Sequence, residues 1–134
     1  MKTFELTSGM LTMGGVFYPK GYAFIMFPNA QDAEQVAQEV LTNHGSSAVV
    51  MFLTPLEILR EIGKADGESD IELPSVGTEG ATVTKYVELA RQGHCALMVK
   101  VQSDEETERV MAAVRKVPFS YGQRYHLLAI EDLE

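Results

Sequence analysis

An α+β sandwich built from two strand–helix–strand halves is the fold this sequence predicts, and three observations carry the prediction. An apolar run, a capping residue, an amphipathic acidic helix and a second apolar run occur in that order twice, over about 20–53 and again over 95–133. In both copies the helix carries apolar residues at helical spacing, whereas the flanking runs are short and rich in β-branched and aromatic residues. The stretch between them, 54–94, reads instead as a helix–loop–helix linker. With 134 residues, 46% of them apolar, the chain has the size of one domain with a modest core, so 1–134 is read as a single unit.

Taken in order, residues 1–19 give the fewest signals. Val16-Phe17-Tyr18-Pro19-Lys20-Gly21-Tyr22 reads as a hairpin, with Pro early in the turn and Gly closing it, adding an edge strand ahead of the first half. Tyr22 to Phe27 is a strand. Asn29 then caps a helix whose Ala33, Val36, Ala37, Val40 and Leu41 form the inward stripe while Glu34 and Glu39 stay outside. It closes at His44-Gly45, and Ala48 to Leu53 is the next strand. Those six residues are the longest apolar run, far below the roughly 20 that a spanning helix needs, so no membrane partner is expected.

Thr54-Pro55-Leu56-Glu57 combines an N-cap, a proline at the first helical position and an acid at the third, which predicts a helix to about Gly63. Asp66 to Glu72 is a polar, acidic loop, and Val83, Tyr86, Val87 and Ala90 resume a helical period up to Gly93. Cys95 to Val101 opens the second half. Ser103 three residues before Glu106 reads as a capping box, and Thr107, Val110, Met111 and Val114 form the stripe behind it. After Pro118, Tyr125 to Ile130 is the final strand. Superposing the two helices pairs Glu34 with Glu108, Val36 with Val110 and Val40 with Val114. Two such halves around one antiparallel sheet make a ferredoxin-like sandwich the natural architecture.

Eleven basic against nineteen acidic residues give a formal charge of −8, which opposes any protein that blankets duplex DNA, since that binding is carried by many Lys and Arg on phosphates. The charge is uneven. Eleven of the nineteen acids lie in Asp66 to Glu72, Asp104 to Glu108 and Glu131 to Glu134, stretches without a base, so the remainder holds 11 bases against 8 acids. The amino-terminal residues carry an acid early and no apolar stretch, which predicts a cytoplasmic protein. A single cysteine, Cys95, excludes an intramolecular disulfide and reads as a small buried hydrophobe.

The sharpest local pattern is Lys20-Gly21-Tyr22-Ala23-Phe24-Ile25-Met26-Phe27. Alternation along a strand puts Tyr22, Phe24 and Met26 on one face and Ala23, Ile25 and Phe27 on the other. This octapeptide resembles the signature strand of the RNA recognition motif, and the resemblance extends through the following helix, covering about residues 20–53. It implies single-stranded RNA as partner. Tyr22 and Phe24 would be stacking platforms worth roughly 1–3 kcal/mol per base, with Lys20 on a phosphate. The elements that the family places upstream do not fit into 19 residues. Leu97-Met98-Val99-Lys100-Val101-Gln102 of the second half would then stand in for the family's hexapeptide strand, bringing Met98 and Lys100 to the same face. As a whole the chain also looks like small bacterial proteins, a resemblance that carries no function.

A strand apolar on both faces also belongs in the middle of a sheet covered on both sides. The linker helices or a second subunit would supply that cover, and the competing expectation is a homodimeric structural or small-ligand sensor protein with the aromatic face buried. Any ligand of that protein would be a small anion at Gly77, Thr78, Gly80 and Thr82, where a Gly-containing loop enters a helix; ordinary capping is the plainer account of those residues. His44, His94 and His126 show no metal-ligand spacing, and no Ser, Cys or Lys lies in a nucleophile motif. The acidic loop has Gly77 where a calcium loop requires a bidentate Glu. No catalytic residue, metal or cofactor is expected.

Overall fold

The computed structural model describes residues 2–11, 17–44, 48–63, 78–127 and 129–134. Its elements are β1 (Lys2–Thr3), a short 3-10 turn (Ser8–Met10), β2 (Tyr22–Phe27), α1 (Ala30–His44), β3 (Val50–Leu53) and α2 (Pro55–Glu57), which widens into a π turn (Ile58–Ile62). They continue with α3 (Thr78–Arg91), β4 (Cys95–Lys100), α4 (Asp104–Val114), β5 (Tyr121–Tyr125) and β6 (Ile130–Asp132).

One sheet carries the order β1-β3-β4-β2-β5-β6. β4 runs antiparallel to both β3 and β2, so β2 and β3, joined by α1, are parallel with β4 between them. In the same way β2 separates β4 from β5, which α4 joins. The two strand–helix–strand units therefore interlock, each contributing a central strand. This is an α+β protein. β1 adds a parallel edge strand beside β3 through Lys2↔Met51 and Thr3↔Phe52.

Both faces of the sheet are covered, which is why the central strands are apolar without alternation. Ala23, Ile25, Phe27, Leu97 and Val99 pack against Val36 and Val40 of α1 and Val110 and Val114 of α4. On the opposite face Phe24, Met26, Met51, Ala96 and Met98 pack against Ile58, Ile62, Val83, Tyr86 and Leu89 of the α2–α3 segment, with Phe4, Met10 and Phe17 closing the remainder. The helix–loop–helix linker is thus the roof of a second core. Its acidic loop, Asp66 to Glu72, lies outside the described residues.

The helix starts follow the capping chemistry. The Asn29 side chain accepts from the backbone N–H of Gln31 at 2.8 Å, and Thr54 and Glu57 complete a reciprocal box, with Thr54 N–H donating to Glu57 Oε1 at 2.9 Å and Glu57 N–H donating to Thr54 Oγ at 3.1 Å. Ser103 accepts from Glu106 N–H at 3.0 Å, while the Glu106 carboxylate reaches one residue further back, to Gln102 N–H at 2.8 Å. Thr54→Ala is expected to lower stability by about 1 kcal/mol in urea unfolding, because two backbone donors lose their partners or their geometry.

Two regions differ from the sequence expectation. Pro19 to Tyr22 does turn, with Tyr22 N–H donating to Pro19 C=O at 3.1 Å and Gly21 at φ 88°, the left-handed position that a type II turn reserves for glycine. Among the described residues before it, Phe17 makes an isolated bridge to Leu11, and the edge strand on the β3 side of the sheet is β1. The expected last strand from Tyr125 to Ile130 is a hairpin between β5 and β6, closed by His126 N–H donating to Ala129 C=O at 2.8 Å. β5 was hidden because its middle is polar: Gln123 and Arg124 are buried there only because Asp132 and Asp104 accept their hydrogen bonds, each at 2.6 Å.

Candidate functional site

The five residues assigned to RNA separate into two groups. Register pairs Tyr22 with Lys100 and Phe24 with Met98, so all four share one sheet face as alternation requires. Depth then divides them. Lys20 and Lys100 are exposed and Tyr22 is half-buried at the end of the strand, whereas Phe24 and Met98 are both 0% exposed. An open platform formed by Tyr22, Phe24 and Met98 is therefore corrected: two of its three members lie under α3.

The cover is specific. Tyr86 of α3 stacks on Phe24 with ring centroids 4.1 Å apart and planes 27° from parallel, and Phe17 meets Phe24 edge-on at 5.7 Å. Tyr121 and Tyr125 extend the cluster, Tyr121 edge-on to Tyr86 at 5.8 Å and Tyr125 edge-on to Phe17 at 6.3 Å. These geometries are the stacked and T-shaped arrangements that aromatic quadrupoles favour. The two buried hydroxyls satisfy each other, Tyr86 Oη to Tyr125 Oη at 2.7 Å. Burial, then the neighbouring Tyr125, pushes the Tyr86 hydroxyl well above its ordinary range, so this core is neutral at physiological pH.

The loop assigned to an anion is only partly within view. Gly77 lies outside the described residues, and Thr78 and Gly80 are in the first turn of α3. Thr82 is 2% exposed and its side chain is hydrogen-bonded to Tyr121. Its side chain faces the aromatic core, so Thr82 is not a surface contact for an anion.

Several polar side chains elsewhere are paired with one another. His94 Nδ1 lies 2.8 Å from Ser120 Oγ, which is nucleophile–base distance, yet no carboxylate among the described residues pairs with His94 to orient it. His126 Nε2 meets Glu131 at 2.8 Å. Cys95 is buried, and desolvation raises its thiol further from the reactive thiolate. Among the described residues no three His, Cys, Asp or Glu side chains gather as a metal site, and no helix is long and apolar enough to cross a membrane.

One surface feature was not legible in the sequence. Beyond the end of α1, where β3 begins and β4 ends, an open groove of about 430 Å³ is lined by Asn43, Val99, Lys100, Gln102, Glu106 and Arg109, among others. Its lining is drawn from α1, β4 and α4, elements far apart in the chain, so no motif marks it. A second groove of about 460 Å³ holds Arg115 and Arg124, but both guanidiniums are tied to carboxylates, Glu108 and Asp104 respectively, at 2.6 Å. Comparisons with protein-family models, with curated proteins and with solved structures returned no match.

Proposed function

We propose that this chain is a non-enzymatic structural or small-ligand sensor module built on a ferredoxin-like sandwich, in which the aromatic strand is core and not an RNA platform. The observation that carries this is the complete burial of Phe24 and Met98 beneath Tyr86 and its α3 neighbours. The strand order β3-β4-β2-β5, with α1 and α4 on one face, supports the ferredoxin-like part of the reading. Binding by base stacking needs aromatic faces open to solvent, and here the face nearest the RNA-type position is already occupied by a tyrosine ring. The cover comes from the same chain, so this reading predicts a monomer as far as this face is concerned, and light scattering checks it.

Titration of a fluorescent single-stranded oligoribonucleotide at low and moderate salt tests the reading against RNA binding. The expected result is no saturable binding, and no difference between the parent and Tyr22→Ala. Saturable binding that Tyr22→Ala weakens by about tenfold would restore the RNA reading, with Lys20, Tyr22 and Lys100 as its surface contacts.

A further inference from the structure

We infer that the groove between α1 and α4 binds a free α-amino acid with a neutral polar side chain, its carboxylate on Arg109 and its ammonium on Glu106. The inference rests on the small-ligand branch of the reading above and gives that branch a ligand class.

The two flanks of α4 divide its charges. Helical period puts Asp104, Glu108, Met111 and Arg115 on the flank toward the β5–β6 hairpin, and the second groove is lined by them. Glu106 and Arg109 fall on the other flank and line the first groove together with Val40 and Asn43 of α1. Val40 and Val99 are buried and give it an apolar floor. Lys100 adds no second cation there, because strand alternation sends its side chain to the opposite sheet face, beside Tyr22.

Opposite charges three residues apart on a helix are neighbours that ordinarily attract. Arg115 holds Glu108, Lys116 holds Glu39 and Arg124 holds Asp104, whereas among the described residues Arg109 holds no carboxylate, not even that of Glu106. The reason is local: Glu106 Oε1 is drawn back to the Gln102 backbone N–H at 2.8 Å, as part of the α4 start. Glu106 Oε2 and the Arg109 guanidinium are then each without a partner among the described residues. One charge of each sign suits neither a lone anion nor a lone cation, since the unmatched group would repel it. An α-amino acid carries both signs on one carbon. Arg presents a planar fork to two carboxylate oxygens, and a carboxylate accepts from an ammonium. About 430 Å³ lies within the usual range of small-molecule sites and far exceeds a bare ion. The exposed Asn43 amide, both donor and acceptor, matches a neutral polar side chain.

Amide chemical-shift titration of the whole chain with L-glutamine, at neutral pH and constant ionic strength, tests the site. Saturable shifts are expected at Asn43, Val99 and Arg109. N-acetylglutamine, which lacks the ammonium, and glutaminamide, which lacks the carboxylate, should each bind at least about tenfold more weakly. Arg109→Gln should erase the preference over glutaminamide. Glu106→Gln keeps an oxygen for the Gln102 N–H and should erase the preference over N-acetylglutamine. No saturable shifts with glutamine, or either derivative binding as tightly as glutamine to the parent, would overturn the site. Those outcomes leave the buried aromatic face untouched, because that claim is tested by RNA titration and ring contacts, not by amino acids.

Discussion

Phe24→Ala is expected to cost about 3–5 kcal/mol of unfolding free energy, a large part of the whole stability of a domain this size. Phe24 is 0% exposed, stacked on Tyr86 at 4.1 Å and met edge-on by Phe17 at 5.7 Å, so truncation leaves a ring-sized void between a rigid central strand and α3. The hydrophobic transfer term and the cavity term then add, since β2 is held on both sides by β4 and β5 and cannot collapse inward. Urea unfolding followed by circular dichroism measures it. An RNA-stacking Phe24 would behave in the opposite way: its removal would leave the midpoint nearly unchanged and would abolish oligonucleotide affinity. The same experiment therefore separates a core residue from a contact residue.

Tyr86→Phe is the second large effect and has a pH signature. It removes one hydroxyl of the buried pair at 2.7 Å and leaves Tyr125 with a lost partner, an expected destabilisation of about 1–3 kcal/mol below pH 10. Burial holds the folded-state pKa of Tyr86 above its unfolded value of 10.0, with the Tyr125 charge and hydrogen bond acting in the same direction. The folded state therefore keeps a proton that the unfolded state releases. Stability from this group is fully present below the unfolded pKa and is lost as pH rises from there through the folded pKa. The parent should weaken steeply above about pH 10, and Tyr86→Phe should weaken less over the same window. Chemical denaturation on either side of that pH gives both slopes; parallel slopes would show that Tyr86 is not the buried, neutral group described here.

How much of this was legible in the sequence depends on the kind of interaction. α1 and α4 were read correctly because capping chemistry and a 3.6-residue period are local: Asn29, Ser103 and the stripes from Val36 and Val110 announce themselves within one helix. The linker's two helical stretches were read for the same reason, from Thr54-Pro55-Glu57 and from Val83, Tyr86 and Ala90. β5 was missed because its burial depends on Asp104 and Asp132, which supply the counter-charge and hydrogen bonds from elsewhere in the chain. The fate of Phe24 was the deepest ambiguity. A strand apolar on both faces is equally compatible with an open aromatic platform and with a sheet roofed on both sides, and only the docking of α3 decides between them. The groove at Asn43 and Arg109 was out of reach for a related reason, since its residues meet only after the two halves interlock.

β2 turns its aromatic face into a core roofed by its own chain. Nuclear Overhauser contacts between the ring protons of Phe24 and Tyr86, recorded before and after addition of single-stranded oligoribonucleotide, test it without altering a residue. Stacked rings at 4.1 Å predict strong Phe24–Tyr86 cross-peaks, accompanied by Phe24–Phe17 cross-peaks, and no change when the oligonucleotide is added. Absent Phe24–Tyr86 cross-peaks, with Phe24 ring resonances that move on addition of the oligonucleotide, would contradict it.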